Sequence, residues 1–275
     1  MATILDGKKC AEEILQKLKQ QIQQHNLKIK LSIILVGNDP ASQIYTSMKQ
    51  KRAAEVGIEA QVHFFPDQIT QEELCILIKE LNVNTDGIMI QLPLPKHLDK
   101  RTILNTIDPK KDIDGLTSES LAKIFNKDES TAPATPKGII NLLEKYNLSV
   151  HGKNCTIINH SELIGKPLAI MLLNRGATIT ICHEFTADLK EHTKKADFVI
   201  TAVGKPDLIT KDHIKENAII IDAGTAKKEG NMVGDVKPDV KEKALYLTPV
   251  PGGVGPMTIA TLLSTAVELK IKESL

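Results

Sequence analysis

Apolar residues recur along this chain in two spacings, one helical and one continuous, and the alternation between them predicts helices and strands in turn. Ala11, Ile14, Leu15, Leu18 and Ile22 form a helical stripe with Lys and Gln on the outer face, broken at His25-Asn26. The run LSIILVG (31–37) is almost wholly apolar, as in a strand buried on both faces. After the turn-rich NDPAS, Ser42 is placed to cap a helix that ends at Gly57. A strand at 59–65, a helix across 70–82 with the cap-like entry TQEEL, and a strand at 86–95 follow. From Pro136 the pattern restarts with helix 136–147, strand 154–158, helix 164–175, strand 177–182, helix 186–195 and strands 197–203 and 218–224. A last helix is expected over 256–272, returning to the first half.

Strands and helices that alternate over short connections imply right-handed crossovers and parallel sheets covered by helices. The expected fold is α/β in two domains, the second more regular and Rossmann-like. No linker rich in Gly, Ser or Pro separates the halves, so helices are expected to join them.

Composition narrows the partners. The 275 residues hold 35 Lys plus Arg against 34 Asp plus Glu, which gives no electrostatic case for nucleic acid or an anionic membrane. Cys10, Cys75, Cys155 and Cys182 are far apart with no CxxC pair, so buried thiols in a reducing, cytoplasmic setting are expected, without a metal. No apolar run is expected to reach the ~20 residues of a membrane span, and MATILDGKKCAEEI lacks an apolar signal core. Aromatics are 3% and Trp is absent, leaving Ile, Leu, Val and Ala to build the cores.

In open parallel sheets ligands lie beyond the carboxyl ends of the strands, and four stretches occupy such positions. On the helix after LSIILVG, Tyr45 and Lys49 are four apart, so an aromatic plane and an amine share one face. Such a pair suits a flat ring with a base beside it, although Lys49 snorkelling into water fits the spacing as well. Gln91 ends a strand before two prolines in MIQLPLP. In KKDIDGLT, Asp112 and Asp114 flank Ile113 and share a side if extended, so that either can take paired hydrogen bonds from an amino-pyrimidine or close an Asx turn. TPVPGGVGPMT packs three glycines and three prolines into eleven residues, as a binding loop that lets backbone approach a ligand does.

Taken in order, ILDGK, SxxYxxxK, GIMIQLPLP, KDIDGL, ATPKG, IGKP, MVGDV and PGGVGPMT closely resemble the bifunctional methylenetetrahydrofolate dehydrogenase/methenyltetrahydrofolate cyclohydrolase family over essentially the whole chain. The resemblance implies a folate-binding catalytic domain at 1–137, completed by the C-terminal helix 256–275, and an NAD(P)-binding domain at 138–255, with the active-site cleft between them. It implies Lys49 as the central catalytic residue, Tyr45 against the folate rings, Gln91 tuning Lys49, Asp114 on the pterin amino end, and Leu92, Pro251, Gly252, Gly253 and Val254 lining the folate. The cofactor would meet Asn159, His160, Ser161, Gly165, Lys166, Pro167, Glu184, Gly204, Gly224 and Thr225. Tetrahydrofolate substrates, a homodimer built through the nucleotide domain and NADP are the implied partners and cofactor.

The cofactor half departs from the family pattern. Asn159-His160-Ser161 stands where the family reads Gly-Arg-Ser, and Glu184 stands where Ser often follows Cys-His. An acidic side chain near the end of the second Rossmann strand suits a free ribose hydroxyl and repels a 2′-phosphate. His160 and Glu184 therefore admit NAD, or a chiefly cyclohydrolytic or merely folate-binding protein with impaired dehydrogenase. Ala134 for Cys and Thr225 for Ile are smaller departures. A dehydrogenase of small acids would need a full GxGxxG and a catalytic His, and the chain has neither.

Overall fold

The computed structural model describes residues 2–274. In chain order its elements are β1 (Thr3–Ile4), α1 (Gly7–Gln24), β2 (Lys30–Val36), α2 (Pro40–Val56), β3 (Glu59–Phe65), α3 (Gln71–Asn84), β4 (Gly87–Ile90), α4 (Lys100–Leu104) and α5 (Ser118–Lys123). There follow α6 (Ala134–Lys145), β5 (Asn154–Ile158), α7 (Gly165–Asn174), β6 (Thr178–Cys182), α8 (Leu189–Thr193), β7 (Phe198–Thr201), β8 (Ile219–Asp222), β9 (Ala226–Lys228), β10 (Asn231–Val233), β11 (Tyr246–Leu247) and α9 (Val254–Ser274). Two compact units result. The first joins Glu12–Ala134 to the chain from Ile259 onward; the second joins the residues up to Ala11 to Thr135–Thr258.

In the first unit three parallel strands run in the order β3-β2-β4. From Leu31 to Val36 every β2 residue is buried, as its apolar run predicts. The helix after it begins earlier than expected. Asp39, not Ser42, is its N-cap, accepting from the Ser42 N–H, because Pro40 at the first helical position needs no partner for a missing N–H. At the far end Gly57 takes the left-handed conformation, φ 93°, that closes the helix. The entry to α3 is a capping box between Thr70 and Glu73. The strand expected over 86–95 stops at Ile90, since Pro93 and Pro95 have no N–H to give a ladder.

The second unit holds a six-stranded parallel sheet in the order β1-β11-β8-β7-β5-β6. Thr3 and Ile4 pair with Tyr246 and Leu247, so residues 2–11 cluster here rather than within a 1–137 domain. Strands of two residues are too short for periodicity to reveal. The β9–β10 hairpin, turned at Glu229 and Gly230 with φ 52° and 81°, was not expected either. Helix 186–195 shrinks to α8, because His183 to Thr186 close a turn on themselves.

Two buried carboxylates fix the ends of β7 and β8. Asp235 accepts from the Thr201 hydroxyl (2.6 Å) and from the Val203 (2.8 Å) and Lys205 (2.7 Å) amides. Asp222 accepts from the amides of Gly224, Asp235 and Val236, and burial outweighs these bonds to raise its pKa to about 6.

Contrary to expectation, one helix is long and apolar enough to cross a membrane: Val254–Glu273 of α9, more than half of it buried inside the protein. The chain passes between the units within α1, at the start of α6 and within α9. Of the thiols Cys10, Cys155 and Cys182 are buried and Cys75 is only half-buried. Burial pushes Cys155 up to about 12, which leaves almost no thiolate at neutral pH.

Candidate active site

In the first unit α2 places Tyr45 and Lys49 one turn apart, Tyr45 half-buried and Lys49 only 9% exposed. Lys49 therefore does not snorkel into water. Its Nζ donates to Gln91 Oε1 at 2.9 Å, and Gln91 Nε2 donates to the Leu92 carbonyl at 2.8 Å, which fixes which end of the amide faces the amine. Burial lowers the Lys49 pKa from 10.5; the charge of Asp114 opposes the shift without cancelling it. A neutral amide can hold the amine without restoring its charge.

The two aspartates of KDIDGL part company. Asp112 bridges to Ile88 and is 1% exposed. Its two oxygens accept the Gly115 and Thr117 amides at 2.8 Å each, so this carboxylate closes the turn and the shared side expected of an extended pair is not formed. The Asp114 carbonyl accepts the Ala134 amide at 3.3 Å, but its carboxyl is left without a hydrogen bond among the described residues and the residue keeps part of its surface open. Protein nonetheless surrounds its carboxyl closely enough that desolvation raises its pKa to about 6, against the pull of Lys49 and with a push from Asp112. The unit thus brings together an amine biased toward neutrality, an amide that orients it and an acceptor with free lone pairs.

Pro251, Gly252, Gly253 and Val254 belong to the second unit. There Gly252 has φ 108° and its carbonyl accepts the Lys8 amide at 2.8 Å. A Cβ on Gly253 would meet the Pro249 carbonyl oxygen at 2.5 Å, so glycine is required by close backbone packing.

The residues expected around the cofactor lie beyond the ends of β5, β6, β7 and β8. Asn159, read as a cofactor contact, is occupied with the turn itself. Its Oδ1 accepts the amides of Ser161 (2.8 Å) and Gly165 (3.0 Å) and the Ser161 hydroxyl (2.7 Å), while its Nδ2 donates to the Ala202 carbonyl at 2.6 Å. The Ile164 amide donates to Ser161 Oγ and the Lys166 amide to the Ser161 carbonyl, and Pro167 has none. The amides at the opening of α7, expected to face a pyrophosphate, are thus already bonded within the protein. A Cβ on Gly165 would stand 1.9 Å from the Asn159 carbonyl oxygen. Gly165→Ala is expected to push the turn off β5, lowering the melting temperature by several degrees and dinucleotide affinity at least tenfold, as read by calorimetry and titration.

Lys166 is exposed, Gly204 has φ 79°, Gly224 is buried and Thr225 is exposed. His160 and Glu184 come together, His160 Nδ1 standing 3.6 Å from Glu184 Oε2. The structural role of Asn159 and the roles of Asp222 and Asp235 were not read from the sequence, because they include partners up to 43 residues away. Among the described residues no cluster of three His, Cys, Asp or Glu forms a metal site.

The catalytic-domain profile of tetrahydrofolate dehydrogenase/cyclohydrolase matches residues 5–114, and the NAD(P)-binding-domain profile matches residues 133–274. The chain belongs to the tetrahydrofolate dehydrogenase/cyclohydrolase family. Within this family it is 46% identical over 272 residues to the bifunctional protein FolD of Nitratiruptor, covering 96% of each chain. The solved FolD methylenetetrahydrofolate dehydrogenase/cyclohydrolase of Campylobacter jejuni superposes with a TM-score of 0.96 at 42% identity, covering 100% of both. The Trypanosoma brucei FolD, solved with NADP cofactor and an inhibitor, gives 0.94 at 32% identity over 99% of this chain and 98% of that one.

Proposed function

We infer that the protein oxidises 5,10-methylene-tetrahydrofolate to the 5,10-methenyl form with NADP, and hydrolyses the methenyl form to 10-formyl-tetrahydrofolate. The observation that carries this reading is the buried Lys49 amine bonded to the Gln91 amide. Removing hydride from the methylene carbon leaves a cation shared between two nitrogens. An ammonium beside it would be repelled, so the lowered pKa of Lys49 has a purpose in this reaction.

In the hydrolytic step water adds to the methenyl carbon and neutral Lys49 takes a proton from it. The bond from that carbon to N5 then breaks with a proton delivered to N5, and one proton is released overall. Gln91 orients the amine through Oε1 while its own Nε2 is tied to Leu92. Asp114, with free acceptor capacity, takes the pterin amino end, and Tyr45 stacks against the ring. A dinucleotide held by the second unit would supply the hydride acceptor. Lys166 and Thr225, both exposed, would supply polar groups at its site, while Gly165 and Gly224 are glycine because their backbones pack against Asn159 and Asp235.

Four cysteines that form no disulfide suit a reducing compartment such as the cytoplasm. A homodimer through the second unit is supported by the family resemblance and by β6, an edge strand whose Ile181 is exposed. The test is methenyl absorbance formed from methylene-tetrahydrofolate and NADP, followed by its decay after added methenyl substrate. Both activities are expected; absence of both would refute the assignment.

A further inference from the structure

The side chains following β5 and β6 form a charge cluster that the hydride and hydrolysis chemistry leaves unused. His160 Nδ1 lies 3.6 Å from Glu184 Oε2, and the His160 and His183 rings are 5.0 Å apart between centroids. His183 Nδ1 accepts the Phe185 amide at 3.2 Å, so its neutral ring carries the proton on Nε2. Protonating His183 as well would break that bond and set two like charges side by side. His160 is therefore the imidazole of this cluster that has a ring nitrogen facing a carboxylate.

In doubly wound folds the end of the second strand meets the adenosine ribose, where an acidic group accepts the 2′-hydroxyl and a cation accepts a 2′-phosphate. Both kinds of group stand together here, and the imidazole is a cation only when it carries a second proton. We propose that the His160–Glu184 pair is a proton-gated reader of the ribose 2′ position, which admits the 2′-phosphate when His160 is protonated and favours the free hydroxyl when it is not. The proposal rests on the reading of the second unit as the dinucleotide site.

The charged groups around His160 are Glu184 and His183 from the loop after β6, with Glu162 and Lys166 on its own turn. The loop after β7, tied to that turn through Asn159 and Ala202, carries Lys205 and also Asp207, which is paired with Lys228. None of these is a guanidinium that would hold a phosphate independently of pH.

The experiment is equilibrium titration of the whole protein with NADP, NAD and 2′-phospho-ADP-ribose between pH 6 and 8.5. The ratio of NADP to NAD affinity is expected to fall about tenfold across that range, as one linked proton is lost. Glu184→Gln is expected to raise the ratio about tenfold at pH 8, and His160→Gln to flatten its pH dependence. The phosphate's own second ionisation, near pH ~6, is common to all variants, so His160→Gln supplies the baseline. A wild-type ratio that parallels that baseline, or one unmoved by Glu184→Gln, would overturn the proposal. Both side chains are exposed, at 49% and 62%, so neither substitution threatens folding. Binding decides this question separately from turnover: loss of methylene oxidation with intact binding ratios would refute the assigned activity and leave the reader standing.

Discussion

Lys49→Met is expected to remove methenyl hydrolysis by a factor of roughly 10² to 10⁴, the range supplied by a positioned general base. The variant should remain folded. Burial lowers the Lys49 pKa, so the amine contributes stability above its unfolded value of 10.5 that is lost as pH falls through the lowered folded value. At neutral pH an apolar side chain of similar length escapes that cost, and only Gln91 Oε1 loses a donor. Lost rate at unchanged or raised melting temperature would separate chemistry from stability. The same shift gives the wild-type profile its sign: hydrolysis should rise with pH as Lys49 gives up its proton, and Lys49→Met should abolish that limb. If the variant hydrolysed the methenyl form at the wild-type rate, Lys49 would not be the base.

Asp112→Asn and Asp114→Asn are expected to move stability in opposite directions, although the residues stand two apart. An asparagine at 112 can accept only one of the two amides that Asp112 now receives from Gly115 and Thr117, and it turns an NH₂ toward the other donor. The cost should be on the order of 2–4 kcal/mol, with the melting temperature falling by several degrees. Asp114 has its pKa raised from 3.8 to about 6, so its stabilising contribution is present below 3.8 and lost as pH rises through 6. Its carboxylate thus costs at most about 3 kcal/mol at pH 8, which Asp114→Asn removes. That variant should be more stable at pH 8, with the gain gone near pH 4, while its Michaelis constant for folate rises at least tenfold. Chemical denaturation at both pH values reads the stabilities. Equal destabilisation by the two substitutions would contradict the separate roles given to them.

These contrasts mark what was legible in the chain. Local order was: the Tyr45–Lys49 spacing, the Gly57 stop, the Thr70 capping box and strands 59–65 and 154–158 all depend on neighbours within about a turn, which periodicity and cap chemistry report directly. The ordered motifs carried the family, and with it the candidate residues. Helix ends were less legible, as Asp39 in place of Ser42 shows, because several adjacent residues can cap and only geometry chooses.

Distance hid the rest. That β1 joins β11, that Asn159 ties β5 to the end of β7, and that Asp235 holds the loop after β7 depend on partners tens to hundreds of residues away. The sequence by itself determined that strands and helices alternate, that an amine and an aromatic ring share a helical face, and that two carboxylates flank Ile113. Only the tertiary structure decided that Lys49 is buried against Gln91, that Asp112 is spent on a turn while Asp114 is free, and that Glu184 turns to His160. Hydrophobic pattern and local bonding are encoded residue by residue, whereas burial, charge pairing and pKa are properties of what the folded chain packs around each group.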